Sequence, residues 1–494
     1  MDRYDLLVNE KHDLLGRLKS LIEEVDPNPA LLALAVGLLL AVLGLALFGR
    51  RRELLFLLIS SAMLSGAVWP GVDTASTLFR WLILSLLAVN ALRLHTYFGL
   101  PMLLFLMYVF LGFGLIAFSS MFFWSLQTGG LYLMTSLAAV ALADEMKDTA
   151  GIRRVLVFFI VGSLLWFAMG ATSMRQLVAA KEVQEIGRVS GANVSVVVFV
   201  TVGGLLLPMA LWAALSDQLR MAWRVVAGTM ALGIVLMLFA SGERSGTFAG
   251  LMGMVPVLMR KRVAPLLFVG GAVAVLALAA MQLSTVNQKQ FKYRLERFTS
   301  ADLTGRTEIW SDAVYECMQK PWMGHGLGSD REFTVKYMRP THNAYLSAWY
   351  THGIFGVLLY LAAFAAAGWQ TLIMTINGRT QEIRELARAL MGVLIVEFAV
   401  GMVETFSSPS SFATITLVIV LVMIGRLHAI AKEQPATSSP GYYWAWVPQV
   451  VQQPAMQPVA APVEPRRDLP LVARRRVIGA SSSAALRAAP LERS

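Results

Sequence analysis

Residues 97–118 read YFGLPMLLFLMYVFLGFGLIAF. The stretch carries no charge. It is long enough to cross a bilayer as a helix, because a hydrocarbon core of about 30 Å takes about 20 apolar residues. Comparable stretches lie at 30–49, 54–70, 76–94, 122–143, 155–172, 194–215, 225–240, 246–259, 263–283, 352–375, 387–406 and 412–429. The reading is therefore an all-α, polytopic membrane protein with about 12–13 transmembrane helices. Bulk composition agrees. Of 494 residues 56% are hydrophobic and 15% charged, with a mean hydropathy of +0.61. A soluble domain carries about 25% charged residues. One core cannot hide this much apolar surface, so lipid is the expected solvent. Cys317 is the single cysteine, which excludes an intramolecular disulfide.

The charged residues orient the spans. Arg50 to Arg52, Lys147, Arg153, Arg154, Arg220, Arg224, Arg260 to Arg262, Arg379, Arg384 and Arg388 fall on one side if the spans alternate. Short cytoplasmic loops collect Lys and Arg, so that side is expected to be cytoplasmic. The opposite short loops near 70–75, 119–130 and 407–411 hold neither residue. The expected organisation is a charged, amphipathic N-terminal segment (1–29), spans 1–10 (30–283), a large helical periplasmic loop (284–343), the last spans (344–430), and a disordered, Pro-rich basic cytoplasmic tail (431–494). No cleavable leader is visible in residues 1–29. The spans are expected to have lipids as neighbours, and no nucleic-acid partner is expected.

Three outer segments break the charge rule. They contain Arg188 (GRVSGANVS, 187–195), Arg244 (SGERSG, 241–246) and, in the 284–343 loop, Arg297 and Arg306. Arg244 sits in a short turn near membrane depth, where a guanidinium must find a partner or reach water. It can pair with Glu243 or snorkel. Alternatively Arg244, Arg188 and Arg306 converge on an anion, since the guanidinium fork matches phosphate oxygens. A diphosphate on a lipid is the natural anion at that depth.

Within the large loop, 307–320 reads as a helix stopped by Pro321, with Ile309, Ala313, Val314 and Cys317 on one face. The following WMGHGLG (322–328) lacks the context of a nucleotide loop and reads as a flexible turn where backbone can approach a ligand. The spacings of His325, His342 and His352 fit no usual zinc pattern, so neither a metal nor a cofactor is expected.

The loop returns to the membrane at Thr341–His342–Asn343. An imidazole, with an unperturbed pKa near 6.5, can take a proton around neutral pH. Beside a bound diphosphate it could deprotonate an acceptor hydroxyl for glycosyl transfer, with arginines stabilising the departing lipid diphosphate. An interfacial histidine bonded to backbone is the plainer alternative.

His342–Asn343, nine residues, then Gly353-Ile-Phe-Gly356 reproduces a motif of bacterial O-antigen ligases and related polysaccharide polymerases. With GRVSGANVS, SGERSG and TGRTEIW (304–310), the chain resembles that family from the first span to the last. The resemblance implies an inverting, metal-independent glycosyltransferase. Its donor would be an undecaprenyl-diphosphate-linked glycan and its acceptor the lipid A–core or another glycan. It would work at the periplasmic face of a bacterial inner membrane, with His342 as base, Arg244 and Arg306 on the diphosphate and Arg188 a weaker third. Asn343, Tyr345, Arg297, Gly353 and Gly356 are the expected supporting residues. A polymerase or a protein O-oligosaccharyltransferase would use the same chemistry. A reading of another class is a proton-coupled transporter, because Glu397 and Glu404 lie seven residues apart in one span. Arg80 is the expected partner for one of them.

Overall fold

A computed structural model describes residues 44, 51–64, 72–91, 97–179, 196–241, 243–259, 306–405 and 409–433. The expected spans at 30–49 and 263–283, the N-terminal segment, Arg188, Arg297 and residues 434–494 of the tail fall outside these residues, apart from Gly44, while 431–433 continue the last helix. The chain divides into units 1–437 and 438–494, and all described residues belong to the first.

No strand occurs among the described residues. In order the helices are α1 Arg51–Met63, α2 Val72–Asn90, α3 Leu100–Gly114, α4 Phe122–Ala141, α5 Thr149–Ala179, α6 Val196–Leu215, α7 Met221–Ser241, α8 Arg244–Leu258, α9 Arg306–Gln319, α10 Asp330–Tyr337, α11 Ala344–Asn377, α12 Gln381–Gly401 and α13 Phe412–Glu433. Among the described residues seven helices are long and apolar enough to cross a membrane: α3 and α4 with the 3-10 turns that follow them, α5, α6, α7, α11 and α13. The protein is an all-α polytopic membrane protein. α6 and α13 are apolar all round and buried along almost their whole length, as expected of central helices.

Lipid tails are as apolar as leucine, so helices in a membrane associate by close packing rather than by hydrophobic exclusion, and small residues mark the contacts. α6, α8 and α12 pack in this way. A Cβ on Gly250 would lie 3.1 Å from the Gly204 Cα, and one on Gly253 would lie 2.8 Å from the Gly392 carbonyl oxygen. Gly246 meets Val200, Gly204 meets Val396, and Gly392 meets Pro208. These contacts set direction: α8 runs parallel to α6 and antiparallel to α12. The N-terminus of α8, at Arg244, therefore lies at the same end of the bundle as the C-terminus of α12.

The opposite end gathers basic residues of several connections. Arg51 pairs with Asp144 at 2.7 Å, Arg52 with Glu145 at 2.5 Å and Arg153 with Glu382 at 2.8 Å. Arg80 does not hold an acid of α12 as expected. Its guanidinium donates to the Ser61 carbonyl and the Thr77 hydroxyl, within α1 and α2.

α11 is two helices joined by a sharp break. Gly353 has φ 67° and ψ −170°, a conformation that a Cβ would make costly. Residues 345 and 360 would lie about 22 Å apart in a straight helix. Here the rings of Tyr345 and Tyr360 are 5.9 Å apart, so the first nine residues of α11 fold back along the rest. The carbonyls freed by the break do not go unpaired. Tyr350 O accepts from His325 N at 2.7 Å and Thr351 O from Gly326 N at 3.0 Å, while Ile354 N donates to Pro321 O at 2.8 Å. The glycine-rich stretch 322–328 is thus a strap that replaces the missing helical bonds. Its backbone approaches α11. A Cβ on Gly353 would collide with the Trp322 carbonyl, and one on Gly356 with the His352 side chain.

α9 packs Ile309, Ala313 and Cys317 against Phe333 and Tyr350. Val314, expected on that face, is instead exposed. One residue is a 100° step, which carries it off the buried stripe.

Candidate functional site

Asn343 caps the first turn of α11. Its Oδ1 accepts from Tyr345 N at 2.9 Å and Leu346 N at 3.0 Å, satisfying donors that a helix start leaves unpaired. Its Nδ2 donates to Met402 O at 2.9 Å, just past α12. Tyr345 reinforces the contact: its hydroxyl donates to Phe398 O at 2.9 Å. These bonds pin the start of α11 to the end of α12.

His342 precedes the cap in a left-handed conformation, φ 45°. That region costs most residues energy and is tolerated somewhat better by His. The consequence is contact with Glu404. The His342 Nδ1 lies 3.0 Å from Glu404 Oε2, and the Arg306 Nη2 lies 2.5 Å from Glu404 Oε1. Glu404 is 7% exposed, so the Arg306 guanidinium and the imidazole it faces compensate a carboxylate largely withdrawn from water. An ionised carboxylate only accepts hydrogen bonds. Nδ1 therefore donates, which leaves Nε2 as the ring's acceptor of a proton.

Glu404 was expected on the face of a span beside Glu397. α12 stops at Gly401, and Glu404 occupies the turn beyond it. The two acids therefore do not share a helix face. Glu397 is fully buried, and neither of its carboxyl oxygens has a partner. The pairing of Glu404 with His342 was missed in the sequence. Its only signal was an acid placed shortly after a helix-ending glycine.

Arg306 opens α9, and Arg244 opens α8 at the same end of the bundle. A helix start carries the positive end of a dipole and backbone N–H groups outside the helical ladder, which favour anions. The other two histidines of the region are engaged elsewhere. His325 Nε2 lies 3.1 Å from Glu316 O, and its ring stacks on Tyr350 at 4.3 Å. His352 is buried, stacked on Tyr108 at 4.2 Å and 2.7 Å from the Thr351 hydroxyl.

Beside the site, α10 is tied to α9 through Glu316, whose carboxylate accepts from Lys336 and Tyr337, both at 2.6 Å. Burial alone would raise the Glu316 carboxyl, but these two donors bring it below its ordinary value. Asp330, at the start of α10, is pushed up to about 6 by burial, against the pull of its own and the Arg331 backbone N–H.

The bundle, the capped histidine and the paired arginine define a class: a helical membrane protein with a polar centre at one end. Residues 228–361 match the family model described as O-Antigen ligase. Over 75 residues, 15% of this chain, the sequence is 32% identical to an O-antigen ligase of Pseudomonas aeruginosa strain PAO1. That match spans 19% of the relative's length. The match agrees with the resemblance carried by the motifs, and the matched segment contains Arg244, Arg306, His342, Gly353 and Gly356. A chain from a solved structure described as "Structural coordination of polymerization and crosslinking by a peptidoglycan synthase complex" aligns over 68% of this chain and 98% of its own. Its identity is 16% and its TM-score 0.32, a likeness too slight to carry an argument.

Proposed function

We propose that this protein is an inverting glycosyltransferase of the O-antigen ligase type, acting without a metal at the periplasmic face of a bacterial inner membrane. The donor is a glycan on undecaprenyl diphosphate, and the acceptor is a hydroxyl of the lipid A–core. The observation that supports this best is the Arg306–Glu404–His342 chain, located at the end of the bundle that also holds Arg244.

Nε2 of His342 takes the proton of the acceptor hydroxyl. The freed oxygen attacks the anomeric carbon from the face opposite the diphosphate, and the bond from that carbon to the diphosphate oxygen breaks, its electron pair staying on the leaving diphosphate. The diphosphate leaves with charge spread over oxygens that guanidinium groups can meet bidentately. Arg306 spends one N–H on Glu404, and a guanidinium has five. Arg244 and Arg188 supply further charge in this reading, with Arg297 nearby in sequence. Glu404 holds the imidazole so that Nε2 is the free base and stabilises the imidazolium once the proton arrives. The domain boundaries at 284–343 and 344–430 follow the same reading: a loop that carries the anion-binding arginines, then spans that anchor the base.

Purified protein in liposomes, given a defined polyprenyl-diphosphate glycan and a core acceptor, should transfer the glycan. The His342→Ala protein should bind donor and transfer nothing. Extension of one lipid-linked repeat by another, with the core untouched, would make it a polymerase. Turnover by His342→Ala at the wild-type rate would end the reading.

A further inference from the structure

α9 has a second apolar face. Opposite its buried stripe it exposes Val314, Tyr315 (64%) and Met318 (60%), and the turn beyond adds Trp322 (64%) and Met323. The spacing of residues 311, 314, 315, 318 and 322 places them on one side of the helix and its exit. A soluble loop rarely gathers large apolar side chains at such exposure.

Two contacts say what covers this face. The Trp322 ring lies 6.0 Å from Phe355, and Phe355 heads a stripe of exposed residues on α11, continuing through Leu358, Trp369, Leu372 and Ile376. That stripe is the side a membrane-crossing helix turns to acyl chains. From the other direction, a Cβ on Gly326 or Gly328 would press on Ser119 or Ser125, so the strap ends on the turn between α3 and α4. That turn exposes Phe118, Phe122 and Phe123. The strap therefore runs between two clusters of exposed aromatics at one end of the bundle. Aromatic belts mark the boundary between headgroups and hydrocarbon.

We propose that the outer face of α9 and the Trp322–Met323 turn lie in the lipid interface of the leaflet at the His342 end, so that segment 306–329 is docked on the bilayer rather than standing in water. The partner is the leaflet itself. Lys320, exposed between Met318 and Trp322, can extend its stem along apolar surface and place its ammonium among lipid phosphates. Anchoring the C-terminal end of α9 fixes the height of Arg306 at its other end, and with it the depth of Glu404 and His342. The contact stands whatever reaction the site performs.

Spin labels test it. In a Cys317→Ala background, Met318→Cys, Trp322→Cys and, as a polar control off the apolar face of the same helix, Asp312→Cys are labelled in the full chain. The proteins are placed in phosphatidylethanolamine–phosphatidylglycerol liposomes. Labels at 318 and 322 should collide with oxygen several-fold more, relative to a water-soluble nickel chelate, than the label at 312. Equal ratios at the three positions would overturn the proposal. A second measurement avoids the cysteine background: brominated lipids should quench the emission that wild type has and Trp322→Phe lacks. An unquenched Trp322 contribution would likewise overturn it.

Discussion

Glu404 holds His342 with one carboxylate oxygen, at 3.0 Å, and Arg306 with the other, at 2.5 Å. A single acid thus orients the candidate base and ties it to a candidate anion-binding group from another part of the chain. Glu404→Gln should lower turnover about 10²-fold, because the amide no longer fixes which ring nitrogen carries the proton. Glu404→Asp should keep more activity than Glu404→Gln. The pH profile of transfer should shift in both, which distinguishes positioning from mere folding. An unchanged rate and profile in Glu404→Gln would remove the acid from the mechanism.

Arg306→Lys keeps the charge and loses the planar fork. Donor affinity should fall about tenfold, equivalent to about 1.4 kcal/mol, and Arg244→Ala should act in the same direction. Binding of a short-chain polyprenyl diphosphate, measured by calorimetry in detergent, reads both. Undiminished binding in the two variants would leave the diphosphate without its proposed partners.

Gly353→Ala should destabilise the protein by at least about 1–3 kcal/mol. It forces a side chain into left-handed backbone and into the Trp322 carbonyl. Transfer should fall with stability, because the fold-back of α11 carries His342. Gly130→Ala is the control: a Cβ there meets nothing within 4 Å, and it should be neutral or slightly stabilising. Thermal unfolding of the two variants side by side decides the point.

Asp330 gives the assembly a pH dependence. Its folded-state carboxyl is raised from 3.8 to about 6 by burial. A raised acid binds its proton more tightly when folded. The burial penalty is therefore absent below about 3.8, grows between 3.8 and 6, and is complete above 6. Asp330→Asn should raise the melting temperature at pH 7.5, by an amount corresponding to about 1–3 kcal/mol, and do much less at pH 4.5. An equal effect at both pH values would contradict the burial argument.

Glu397 separates glycan transfer from ion-coupled transport. It is buried without a partner for either oxygen and shares no helix face with Glu404. Glu397→Gln should leave transfer within about threefold of wild type, as expected for a surrounding that disfavours charge. A loss as deep as that of His342→Ala would place a proton step at Glu397.

Much of this protein follows from local pattern. Apolar runs such as 97–118 are long enough to demand lipid and a helix, whatever surrounds them, because bilayer thickness sets their length. The His342–Asn343 pair announces a helix start, since a capping side chain acts on donors two and three residues away. Arg244 and Arg306 were visible as charges where few belong. Long-range contacts decided the rest. Glu404 lies 62 residues from His342, and no spacing rule links a turn after one helix to the cap of another. The role of Gly353 depended on the Trp322 carbonyl pressing where a Cβ would be, and the strap's on carbonyls that only a broken helix leaves open. Periodicity reports what a residue does to its own helix. Which charges meet, and which side of α9 remains uncovered, is fixed only when the helices pack.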